Sequence, residues 1–160
     1  MLDLLTLLSA LGCGLVAGVF FAFSSFVMKA LANLPPAQGI AAMQSINEVV
    51  VNPRFLTPFL GTAAACVALV VASLLRWHVP GAPYLLAGGV LYLVGTLLVT
   101  ILFNVPRNDA LAVVAPNSAE GARLWAAYLS TWTAWNHVRA TAAFAAAVSL
   151  TIALRSGSVG

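Results

Sequence analysis

The residues that could do chemistry crowd one stretch late in the chain, Tyr128 to Ala142, reading YLSTWTAWNHVRATA. Within it stand Trp132, Trp135, Asn136, His137 and Arg139. Histidine has an unperturbed pKa near neutrality, so His137 is the side chain best suited to take a proton. Arg139 can hold a developing anion, and the indoles offer a flat wall to an aromatic ring. From Ala140 to Leu154 the chain carries no charge over about 15 residues, roughly 22 Å at helical rise. A bilayer core is about 30 Å thick, so a spanning helix has to begin near Leu124 to Tyr128. His137 and Arg139 then lie within the membrane or at its edge, where a polar group is costly enough to point to function.

The rest of the chain has to position that stretch. Of 160 residues, 62% are hydrophobic and 7% charged, with mean hydropathy +1.01. Soluble domains carry about 25% charged residues. The expectation is one membrane domain, residues 1–160, whose core is completed by lipid. The net charge of +3 comes from seven scattered basic residues without a basic run. That pattern argues against a nucleic-acid partner. Cys13 and Cys66 fall in apolar stretches, where a thiol behaves as a small hydrophobe. Asp3 precedes an apolar run too long for a signal-peptide h-region, with no Lys or Arg before it, so the first helix is expected to be retained.

Four spans are expected at about residues 4–31, 55–75, 83–105 and 124–154. An additional interfacial helix at about 37–51 lies between spans 1 and 2, following the break at Pro35-Pro36. On it, Ile40, Met43, Ile46 and Val50 recur at steps of three and four. The fold class is all-α, an integral membrane four-helix bundle. Gly14 and Gly18 have the spacing that lets helices approach closely, so packing is their expected role. Ser24 and Ser25 either back-bond to the first helix or face a pocket. Pro53 suits a first helical turn, and Ser118 suits an N-cap. His78, beside Pro80-Gly81, reads as a solvated loop histidine.

With four spans, both termini of this multi-pass chain fall on one side. The crossings carry Lys29, Asn52 to Arg54, Asn104 to Arg107 and Asn136 to Arg139 to the opposite side. The polar residues therefore gather at one end of the bundle, where ligand sites between helices are often built. Asn104 closes the third span, and an amide in hydrocarbon needs a partner. Glu48 is either a solvated carboxylate or a partner for Arg54, Arg107 or Arg139. Arg107 and Asp109 could equally be plain interfacial charges. Five basic residues on the polar side against two on the other direct that side toward the cytoplasm of a bacterial-type inner membrane.

Four motifs in order, GVFFAFSSFVMKAL, SINEVVVNPRFL, NVPRNDAL and the segment from Trp125 to Arg139, resemble the anthrone-oxygenase-like family of small membrane proteins. The resemblance covers roughly Gly12 to Thr151. It implies an oxygenase or oxidase for a lipophilic aromatic, anthrone- or phenol-like, entering from the bilayer into a polar pocket at one membrane face. The family's motif positions fall on Asn52, Arg54, Asn104, Arg107, Trp135, Asn136, His137 and Arg139.

In the enzyme reading, His137 removes the acidic proton beside the substrate carbonyl, and Arg107 and Arg139 hold the enolate and the peroxide anion. Trp132 and Trp135 flank the ring. Asn104 and Asn136 orient its oxygens, and Asn52, Arg54 and Ser24 complete the binding set. No cofactor is favoured; the variant is a haem or a single metal with His137 as ligand and Glu48 as a second group. The alternative is a non-catalytic membrane subunit for binding, transport or complex assembly, with Asn and Arg closing inter-helix hydrogen bonds. The expected partners are membrane lipid and a lipophilic aromatic molecule; the glycine-lined faces permit a homo-oligomer without demanding one. With His137 as the base, His137→Ala abolishes oxygen uptake while leaving folding intact; unchanged uptake removes the histidine from the mechanism.

Overall fold

The computed structural model describes residues 1–156, and every element among them is helical. Helix α1 spans Leu2–Ala32, α2 Pro36–Val49, α3 Pro53–Leu75, α4 Ala82–Ala112 and α5 Ala119–Arg155. All but α2 are long and apolar enough to cross a membrane. Proline and short polar residues set the breaks. Asn52 caps α3 by accepting from the Phe55 N–H, with Pro53 in the first turn. Ser118 caps α5 by accepting from the Gly121 N–H at 2.9 Å.

Neighbouring spans run antiparallel. Thr62 of α3 lies against Gly12 of α1, and Phe59 against Phe20. Along α4, Gly88 faces Leu150, Gly95 faces Ala142 and Thr96 reaches Arg139, so α4 and α5 also descend past each other. The bundle closes where α5 packs on α1. Its spine is buried Val16, Phe20, Phe59, Leu69, Tyr92, Ala143, Ala146 and Leu150. Cys13 of α1 and Cys66 of α3 are both buried there, with free thiols. The Tyr92 hydroxyl donates to the Phe59 carbonyl at 3.0 Å.

A second apolar cluster closes one end. Ile40 and Met43 of α2 pack with Met28, Leu31, Leu111, Trp125, Tyr128 and Trp132. Gln44 Nε2 pins α2 by donating to the Leu111 and Val114 carbonyls at 2.8 and 3.0 Å. Helix α2 thus covers the ends of α1, α4 and α5.

Two features differ from the sequence expectation. Helix α4 does not stop near residue 105 but continues through Pro106 to Ala112. A proline removes one backbone donor, and α4 carries π-type turns over Leu91–Leu98 and Thr100–Asn104 just before it, so the ladder is already widened there. Gly14 and Gly18 are exposed and face open space within the chain, whereas Gly12, Gly88, Gly89 and Gly95 make the close approaches. A Cβ on Gly95 would stand 2.5 Å from Ala142 Cβ, which has no rotamer to move aside.

Gly95→Ala should therefore destabilise the bundle by about 1–3 kcal/mol through overpacking. Gly18→Ala should leave stability unchanged or raise it by about 0.5–1 kcal/mol, the helix-propensity gain. Thermal unfolding of the two variants in detergent checks the contrast, and equal midpoints would contradict this packing.

Candidate active site

The polar residues meet around Arg139. Its side chain is 6% exposed. Nε donates to Asn136 Oδ1 at 2.9 Å, and Nη1 donates to Thr100 Oγ1 at 3.2 Å. The guanidinium carbon lies 3.9 Å from the centre of the Phe20 ring and 5.0 Å from that of Trp132. Thr96, one turn before Thr100, donates to the Arg139 carbonyl at 3.2 Å, so α4 grips both backbone and side chain of this residue.

Asn136 is fully occupied in holding that arrangement. Its Nδ2 donates to the Phe20 carbonyl and to Ser24 Oγ, both at 2.7 Å, while its Oδ1 takes the Arg139 proton. The Phe20 carbonyl belongs to the turn entering the π-type segment Phe23–Val27. A side chain inserted into the ladder and a widened turn belong together. Ser24 thereby turns toward α5, whereas Ser25 back-bonds to the Phe21 carbonyl at 2.7 Å.

All of Arg139's partners are neutral, and no carboxylate forms an ion pair with it among the described residues. Burying a charge costs several kcal/mol. Two hydrogen bonds to a cation contribute about 1.5–3 kcal/mol each, and a desolvated cation–π contact about 2 kcal/mol. These offset the cost on the same scale, but none of them neutralises the charge.

Arg139 opens on a cavity of about 730 Å³ between α1, α2, α3, α4 and α5. Phe20, Phe59 and Trp132 wall its buried part, with Thr100 beside the guanidinium. Glu48 of α2 and Asp109 of α4 line its exposed end. The Trp132 wall is the last of three stacked rings on α5: Trp125 to Tyr128 at 5.5 Å, then Tyr128 to Trp132 at 5.8 Å. One acceptor fixes two of them. Asn108 Oδ1 takes the Tyr128 hydroxyl at 2.8 Å and the Trp132 Nε1 proton at 2.7 Å. Asn104 holds the same residue by its main chain, its Nδ2 donating to the Trp132 carbonyl at 3.2 Å; its Oδ1 is buried without a partner.

The other residues singled out in the sequence stand elsewhere. His137 is exposed and lines a separate, open groove of about 740 Å³ between α1 and α5, with Gly14, Gly18, Ser24, Thr141 and Phe144. Arg107 donates to Thr131 Oγ1 at 3.1 Å and to the Phe103 carbonyl at 2.6 Å, outside the cavity. Trp135 stacks on Phe103 with ring centres 3.6 Å apart. Asn52 serves as the α3 cap, and Arg54 is exposed in the first turn behind it. His137 and Glu48, the two groups offered to a metal, line different cavities. Among the described residues no three His, Cys, Asp or Glu side chains form a group that could hold a metal ion.

Phe20, Phe59, Thr100 and Asn108 are site residues that the sequence did not single out. Thr100, Asn104 and Asn108 recur at four-residue steps on α4, a polar stripe in an otherwise apolar span. That periodicity was the available signal.

Four apolar spans around a cationic, aromatic-walled chamber define an integral membrane four-helix bundle. A family model described as anthrone oxygenase matches residues 54–149, more than half of the chain, and the chain belongs to that family. Neither curated proteins nor solved structures give a match to it.

Asn136→Leu strips Arg139 of its buried Nε acceptor, leaving a charged donor unsatisfied. It should destabilise the protein by about 1.5–3 kcal/mol. A thermal unfolding midpoint equal to that of the unmodified chain would show that Asn136 does not hold the guanidinium.

Proposed function

We propose that the protein is a membrane oxygenase that converts the activated methylene of a flat, lipophilic, anthrone-like aromatic to a carbonyl in the chamber headed by Arg139. The observation that carries this reading is a buried guanidinium with neutral partners only, opening on a cavity walled by aromatic rings. The chamber is about 730 Å³, within the range of about 300–1,000 Å³ that small-molecule sites occupy. Family membership supplies the reaction class.

The overall change needs no external reductant: a methylene and dioxygen give a carbonyl and water. Loss of a proton from the methylene, which lies across the central ring from the carbonyl and is conjugated to it through the fused rings, leaves an enolate with its charge on oxygen. Arg139 is placed to hold that oxygen, and its charge counts for most in a water-poor site because it is already oriented. The electron-rich carbon then passes electrons to dioxygen and forms the C–O bond of a peroxide. Loss of the second hydrogen from the same carbon breaks the O–O bond and releases water. Phe20, Phe59 and Trp132 bind the ring system by area and keep the chamber dry. Substrate enters from lipid, as its apolar body requires.

Arg139→Gln should lower kcat/KM for anthrone-dependent oxygen uptake by about 10²–10³-fold, the usual loss for a preorganised anion-holding group. An oxygen electrode on protein reconstituted in nanodiscs makes the measurement. Undiminished uptake in a folded variant would sink the assignment of this chamber.

A further inference from the structure

The chamber contains its own bases. Among the described residues, the titratable side chains lining it apart from Arg139 are Glu48 and Asp109, with no histidine, tyrosine, lysine or cysteine. They come from different elements, the covering helix α2 and the polar extension of α4 beyond Pro106. His137 is two residues from Arg139 but opens on the other groove. Between His137's groove and the chamber stands the Asn136–Ser24 contact, closed at 2.7 Å. We infer that Glu48 and Asp109 are the proton acceptors of the oxygenation, and that they act twice on the same carbon. This rests on the chamber being the oxygenation site.

Substrate geometry supports the placement. In an anthrone the carbonyl oxygen and the acidic methylene lie on opposite edges of the central ring. With the oxygen on buried Arg139, the methylene is directed toward the exposed end, where the carboxylates are. The first proton passes from carbon to a carboxylate, and the electron pair of that C–H bond moves into the enolate. Two electrons then go to dioxygen as the C–O bond forms. The carboxylic acid returns its proton to the peroxide anion, giving a hydroperoxide. A carboxylate next takes the remaining proton from the same carbon. That electron pair becomes the new C=O bond, the O–O bond breaks, and hydroxide leaves with the proton as water. The protein ends as it began.

Exclusion of oxygen isolates the proton step. Anthrone dideuterated at its methylene is incubated anaerobically in ordinary water with the nanodisc-embedded protein, and deuterium loss is followed by mass spectrometry. Binding of unlabelled anthraquinone, which has no methylene, is measured in parallel by equilibrium dialysis. Deuterium loss with the unmodified protein should exceed that in buffer. In the double variant E48Q/D109N the protein-catalysed rate should fall at least about 100-fold, while the anthraquinone Kd stays within about threefold. Both carboxylates are exposed, so the amides should leave the unfolding midpoint in place. Exchange at the full rate in the double variant overturns the inference, as does exchange lost in His137→Ala but kept in the double variant. Failure of the chamber reading looks different: Arg139→Gln would then bind anthraquinone as tightly as the unmodified protein, whatever the exchange rates.

Discussion

The structure depends on one buried cation. Arg139 lies between the Phe20 and Trp132 rings, held by Asn136 and Thr100, and those contacts come from three different spans. Taking a guanidinium out of water is tolerable only if its donors and its charge find partners in fixed positions. The π-type turn at Phe23–Val27, the threonine ladder on α4 and the double commitment of Asn136 all serve that requirement. Each would be an odd choice in a bundle meant only to pack.

The aromatic rail on α5 extends the same constraint outward. Trp125, Tyr128 and Trp132 stack along one helix face, and Asn108 anchors two of them through a single oxygen. Helix α2 lies over this rail because Gly39 admits the Trp125 ring, where a Cβ would stand 2.9 Å from it. The covering helix, the rail and the cation are therefore one mechanical unit. The family match begins at residue 54, so Phe20, Ser24 and Glu48 lie on the part of the chain before it, while Thr100, Asp109, Trp132 and Arg139 lie within it.

Much of this was legible in the sequence. Composition specified a membrane bundle, and Pro35-Pro36, Asn52-Pro53 and Ser118 marked element ends that the structure places within a residue or two. The gathering of polar residues at one end followed from counting spans. Which way each side chain points did not. His137 and Arg139 are two residues apart, about 200° around a helix, so one stretch of sequence serves two cavities. A helical wheel separates them: Trp132, Asn136, Arg139 and Ala143 share the buried face, while His137, Thr141 and Phe144 share the outer one. The continuation of α4 past Pro106 was harder to read, because a proline normally ends a span and the widened turns that absorb it leave no residue signature. The roles of Phe20 and Thr100 depend on inter-helix register, which no single segment encodes.

The thiol pair at the centre of the bundle has a use of its own. Cys13 of α1 and Cys66 of α3 share one core cluster and are sealed from the surroundings, so an alkylating reagent reaches them only when the seam between those helices parts. The chain thus carries a built-in clock for breathing of its transmembrane core: the rate at which label appears measures how often the seam opens. Neither cysteine lines the chamber, so the label reports on the core rather than on the site.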